Sequence, residues 1–103
     1  MRVVDEEGGI SVIDDDDIDI EEPVDYHLIG YNDIYSPIPF VVAILIEICK
    51  KSQNEAEEIT RKIHNEGKAI MWTGLYDIAL TKKYQIDFLS MKMKFPFKTE
   101  VLK

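Results

Sequence analysis

At 103 residues and a formal net charge of −8, the chain is long enough for one small domain and too short to enclose a large substrate cavity. The charge is unevenly placed: residues 1–25 carry eleven acids against Arg2 alone, while residues 26–103 carry nine acids and eleven bases. An acidic stretch of this kind repels phosphate, and no basic stripe interleaved with aromatics follows it, so nucleic acid is excluded as a partner at this level.

Residues 1–25 read as a disordered acidic N-terminal arm. Like charges repel and stay solvated, and the few apolar residues, interrupted by Gly8-Gly9, do not offset the entropy of ordering. A solubilising tail without a specific partner has the same composition. No apolar signal-peptide core lies between Met1 and Asp14. The apolar run Phe40–Ile48 falls well short of the about 20 residues of a bilayer span, so a cytoplasmic protein with no membrane association is expected.

Glu22-Pro23 marks the boundary to a domain over 26–103. Tyr26–Tyr31 has the aromatic and branched content of a strand. After the loop Asn32–Tyr35, Ser36 suits an N-cap and Pro37 the first helical position, and Phe40, Val41, Ile44, Leu45 and Ile48 follow helical spacing toward an end near Lys50-Lys51. Cys49, the single cysteine, falls in this apolar run and is expected in the core. Ser52-Gln53-Asn54-Glu55 is a capping-box pattern that opens a second helix with Ala56, Ile59 and Ile63 on one face and Gly67 as its stop.

Lys68–Met71 reads as a short strand and Thr73-Gly74 as a turn. A third helix from Leu75 offers Ile78, Ala79, Ile86 and Leu89 to a core. Phe95–Val101 reads as a last strand, with Pro96 implying an edge or an irregular start. The order βααβαβ predicts an α+β sandwich: a three-stranded antiparallel sheet with three helices packed on one face.

Two separated motifs carry a resemblance. Tyr31-Asn32-Asp33-Ile34-Tyr35-Ser36-Pro37, followed after two helical stretches by Ile63-His64-Asn65-Glu66-Gly67-Lys68-Ala69, resembles the ClpS family, small adaptors that hand substrates to a Clp AAA+ unfoldase. The resemblance runs without a gap from Tyr26 to Ala79, and the family fold agrees with the pattern just described. It implies a non-catalytic protein that binds proteins with large apolar N-terminal residues (Leu, Phe, Tyr, Trp) and docks on the N-terminal domain of a ClpA/ClpC-type unfoldase. A monomer without a cofactor is expected.

The resemblance also implies site residues. Asn32 and His64 stand at positions that hydrogen-bond an α-amino group, and Asp33 is the first acid of the family's acidic pair. The chemistry fits, since an ammonium has only donors and requires acceptors. Ile34 replaces the second acid, and one lost charge-assisted contact costs about 1.5–3 kcal/mol, roughly tenfold to a hundredfold in affinity.

The pocket wall departs too, with Ile38 where the family has a gatekeeping Met and Thr60 where it has a second Met, while Val41 and Ile63 keep the apolar character. Taken singly, Ile38, Val41 and Ile63 also have the spacing of plain core residues. Asp77 and Lys82 match positions that contact the unfoldase, a pairing that equally suits any exposed helix face. With Ile34 in the acid's place, the alternative is a divergent paralogue that docks on the unfoldase and regulates it without recognising N-degrons.

The residues themselves give no footing for catalysis. His27, His64 and Cys49 form no nucleophile–base–orienter set, two histidines do not make up a four-ligand zinc site, and Gly67-Lys68 lacks a glycine-rich loop before it. The acids Asp14–Asp17 and Asp19 lack the spacing of an EF-hand.

Overall fold

A computed structural model describes residues 24–103, so the acidic arm lies outside the described residues, as does the boundary assigned at Glu22-Pro23. The elements run β1 (Tyr26–Tyr31), α1 (Ile38–Glu47), α2 (Gln53–Glu66), β2 (Lys68–Gly74), α3 (Tyr76–Met93) and β3 (Lys98–Leu102). They form the expected α+β sandwich. β1 is the central strand, antiparallel to β2 on one side and β3 on the other.

Alternation fixes the sheet's two faces. Leu28 and Gly30 of β1, with Ala69 and Met71 of β2 and Thr99 of β3, are buried. The intervening Lys68, Ile70, Lys98 and Glu100 are exposed. Leu28 faces Trp72 across the ladder and Ile29 faces Ile70, which leaves Met71 as the extra residue of a bulge, fully buried. Val41, Ile44, Leu45, Ala56, Ile63 and Ile86 bring the helices onto this face and complete one core with Leu28, Met71 and Phe97. Cys49 belongs to it, as expected.

Glycine is required at one point of the core. A Cβ on Gly30 would lie 2.4 Å from Met71 Sδ and 3.1 Å from Phe97 Cζ, so its hydrogen lets the Phe97 ring and the bulged methionine close over the central strand.

Several sequence expectations are corrected. Pro37, not Ser36, is the N-cap of α1, and its carbonyl accepts from Phe40 and Val41; the Ser36 N–H is instead held by the Asp33 carboxylate. Proline at the cap loses nothing, since the first helical N–H groups have no intrahelical acceptor. α1 ends at Glu47, before the lysines, and Lys50 takes a left-handed conformation (φ 61°). The cation near its end comes from elsewhere: Lys82 Nζ of α3 donates to the Ile48 carbonyl at 2.7 Å.

β2 continues through Thr73 to Gly74, because pairing with Tyr26 and His27 outweighs the turn character of that dipeptide. Ile78 and Leu89 are exposed, and Ala79, Ile86 and Ser90 are the buried positions of α3. β3 begins after Pro96, which has no N–H for the ladder. The capping box at Ser52–Glu55 and the stop at Gly67 are present as read.

Burial pushes the Cys49 thiol up to about 11, with Lys82 and Lys51 pulling the other way. At pH 8 the native thiol should therefore react with a thiolate-selective reagent at least about a hundredfold more slowly than the urea-unfolded chain. A raised native value also means that Cys49 subtracts nothing from stability at neutral pH and destabilises as the pH rises toward 11, which urea titrations at pH 7 and pH 10 will read. Gly30→Ala should cost about 1–3 kcal/mol by urea denaturation, as overpacking against two buried side chains does.

Candidate functional site

One backbone hydrogen bond brings the two motifs together. The last pairs of the β1–β2 ladder are Gly30 with Ala69 and Tyr31 with Lys68, and just beyond them the Asn32 N–H donates to the Gly67 carbonyl at 2.9 Å. Gly67 is the left-handed cap of α2 (φ 92°), and its own N–H returns to the Ile63 carbonyl. The loop after β1 is thus fastened to the C-terminal turn of α2, the turn that carries His64.

A hollow of about 340 Å³ opens at this junction. Every residue that the sequence singled out for substrate binding lines it: Asn32, Asp33 and Ile34 from the loop, Ile38 and Val41 from α1, and Thr60, Ile63 and His64 from α2. Asn32 and His64 are exposed, whereas Val41 and Ile63 are buried, so the hollow has a polar rim and an apolar floor. Its size is at the lower end of the about 300–1,000 Å³ of small-ligand pockets, which suits one side chain better than an extended ligand.

The loop is ordered by Asp33. Its Oδ1 accepts from the Tyr35 N–H at 2.8 Å and the Ser36 N–H at 2.7 Å, a side-chain-closed turn that fixes the carboxylate. Oδ2 is buried and has no partner among the described residues, and the Ser36 hydroxyl is in the same state. A buried carboxylate oxygen without a donor is costly to stability.

Ile34 is 85% exposed, so the residue that replaces an acid stands away from the hollow's interior and does not fill it. Ile38, 56% exposed, forms the outer wall. The Thr60 hydroxyl donates to the Ala56 carbonyl at 2.7 Å, so this polar residue enters the wall with its donor already engaged.

Three lining residues were not picked out from the sequence. Tyr31 ends β1, with its hydroxyl donating to Glu100, a hydrogen bond that raises its pKa above the ordinary tyrosine value. Ser36 has the sequence signal of a helix cap rather than of a pocket residue. Phe97, 4% exposed, closes the floor from the segment before β3. Its signal was the Phe-Pro-Phe run, legible as a strand start but not as a pocket floor. Asp77 and Lys82 lie on α3, apart from the hollow; Asp77 is exposed in its first turn, and Lys82 is half-buried, bonded to Ile48 and 5.3 Å from the centre of the Trp72 ring.

Among the described residues no three His, Cys, Asp or Glu side chains gather as a metal site, and no helix is long and apolar enough to cross a membrane.

Comparison with known proteins bears on this site. The model of the family "ATP-dependent Clp protease adaptor protein ClpS" matches residues 21–100. The ATP-dependent Clp protease adapter protein ClpS of Treponema denticola is 43% identical over 82 residues, covering 80% of this chain and 81% of that protein. The corresponding protein of Desulfotalea psychrophila is 34% identical over 88 residues, covering 85% and 86%. Among solved structures, Agrobacterium tumefaciens ClpS2 bound to L-phenylalaninamide superposes with a TM-score of 0.74 at 26% identity, over 78% of this chain and 96% of that one.

Among the described residues nothing lies within 4 Å of a Cβ added at the Gly67 cap, so its φ is what argues for glycine. Gly67→Ala should cost about 1–2 kcal/mol in urea denaturation, the strain of a left-handed non-glycine residue.

Proposed function

Because the chain belongs to the ClpS family of ATP-dependent Clp protease adaptors, which are not enzymes, we propose that its hollow captures the N-terminal residue of proteins destined for a Clp unfoldase. The observation that carries this reading is the convergence of Asn32, Asp33 and His64 around one apolar hollow of single-side-chain size.

The chemistry follows from the two halves of the ligand. A free α-ammonium presents three donors and no acceptor, and it meets the Asn32 amide oxygen, a His64 ring nitrogen and the Asp33 carboxylate. The first side chain passes inward between Ile38 and Val41 toward Ile63 and Phe97. Burying it stabilises the complex by about 1.5–3 kcal/mol over an alanine. L-phenylalaninamide, the ligand of the Agrobacterium relative, has both halves: a free α-amine and a benzyl group.

Ile34 shifts the balance between them. With no second acid at the rim, the ammonium depends on the single Asp33 carboxylate, whose geometry the Tyr35 and Ser36 amides hold fixed. A fixed acceptor loses little entropy on binding and so recovers part of what the missing charge would have supplied.

Delivery requires a second surface. We assign docking on the N-terminal domain of a ClpA/ClpC-type unfoldase to the exposed face of α3 around Asp77. Lys82 supports this surface from beneath, since its amine is committed to the Ile48 carbonyl. The adaptor turns nothing over; ATP hydrolysis in the partner drives unfolding.

Titration with short peptides differing only in the first residue tests the reading. Leu, Phe, Tyr or Trp should bind at least about tenfold more tightly than Ala, acetylation of the amine should abolish binding, and Asn32→Ala and His64→Ala should each weaken it about tenfold. Equal affinity for Ala and Phe peptides would remove the pocket from this role.

A further inference from the structure

A second, larger depression of about 620 Å³ runs between α1 and α2, and it shares Ile38, Thr60 and His64 with the hollow. Its two walls differ. The α1 wall is apolar, made by Pro39, Val42, Ala43 and Ile46, while the α2 wall carries Arg61, Glu57 and Gln53. Along both helices the groove leads away from the hollow: Ile38 and His64 stand at one end, Glu47 and Gln53 at the other.

From this geometry we infer that the groove seats the residues that follow the captured N-terminus. The inference rests on the pocket reading, because the shared residues make the mouth of the hollow the entrance of the groove. Ten residues of α1 rise about 15 Å, which an extended chain covers in roughly four to five residues. The occupant is therefore the second to fifth residues of the substrate, extended.

Its preferred chemistry is set by the walls. The middle of the groove, between Val42, Ala43 and Ile46, favours an apolar third residue. The far end holds Glu47 and Glu57, the latter accepting from the Gln53 amide at 2.6 Å, and favours a basic fifth residue over an acidic one. Ala43 is exposed on α1 and Glu47 is exposed at its end, so both are open to substitution without disturbing the core.

Peptides that all begin with Phe and differ at later positions test this by fluorescence anisotropy at low salt. A third residue Leu should bind about fivefold more tightly than Gly, and a fifth residue Lys about threefold more tightly than Glu, the second preference fading at high salt. Ala43→Arg, which narrows the groove, should remove the third-position preference and leave the Phe-over-Ala ratio at the first position unchanged. Glu47→Lys should reverse the fifth-position preference.

Affinities independent of positions two to five, with first-residue selection intact, would overturn the groove while sparing the pocket. Loss of first-residue selection itself would overturn the pocket reading, and the groove with it.

Discussion

The hydrogen bond from the Asn32 N–H to the Gly67 carbonyl is the contact on which the site depends. It joins the loop leaving the central strand to the end of α2, two segments far apart in sequence. The β1–β2 ladder ends at Tyr31 and Lys68, and just beyond it this bond holds Asn32 beside the turn that carries His64. Gly67 makes the contact possible by reversing the chain in a left-handed cap that a side-chain-bearing residue adopts only under strain.

Asp33 does for the loop what Gly67 does for the helix end. One oxygen accepts two backbone N–H groups and so shapes the loop; the other is buried without a donor among the described residues. Ser36 does not cap α1: its hydroxyl has no partner among the described residues, and the helix begins one residue later, at a proline cap.

Much of this was legible in the sequence, for local reasons. The capping box, the glycine stop and the helical spacing of Val41, Ile44 and Leu45 are short-range signals, and all are present. All eight residues assigned to substrate binding line one hollow, because the two motifs place them on a loop and two helices whose packing the core dictates. What the sequence did not reveal depends on distant partners. Phe97 becomes a floor residue only through its contact over Gly30, Lys82 caps a helix 34 residues away, and Gly74 stays in a strand because Tyr26 pairs with it. Ile78 and Leu89 have apolar spacing yet face outward, since α3 meets the sheet mainly through Ala79, Ile86 and Ser90.

The central claim is that the rim of the hollow reads a free amine while its floor reads one apolar side chain. Two-dimensional NMR of the labelled protein, titrated with L-phenylalaninamide and then with its N-acetyl derivative, addresses both halves at once. The account predicts shifts for the Asn32 side-chain amide, the His64 ring and the Val41 and Ile63 methyl groups with the free amine, and none with the acetylated compound. Shifts confined to α3, or the same shifts with both compounds, would contradict it.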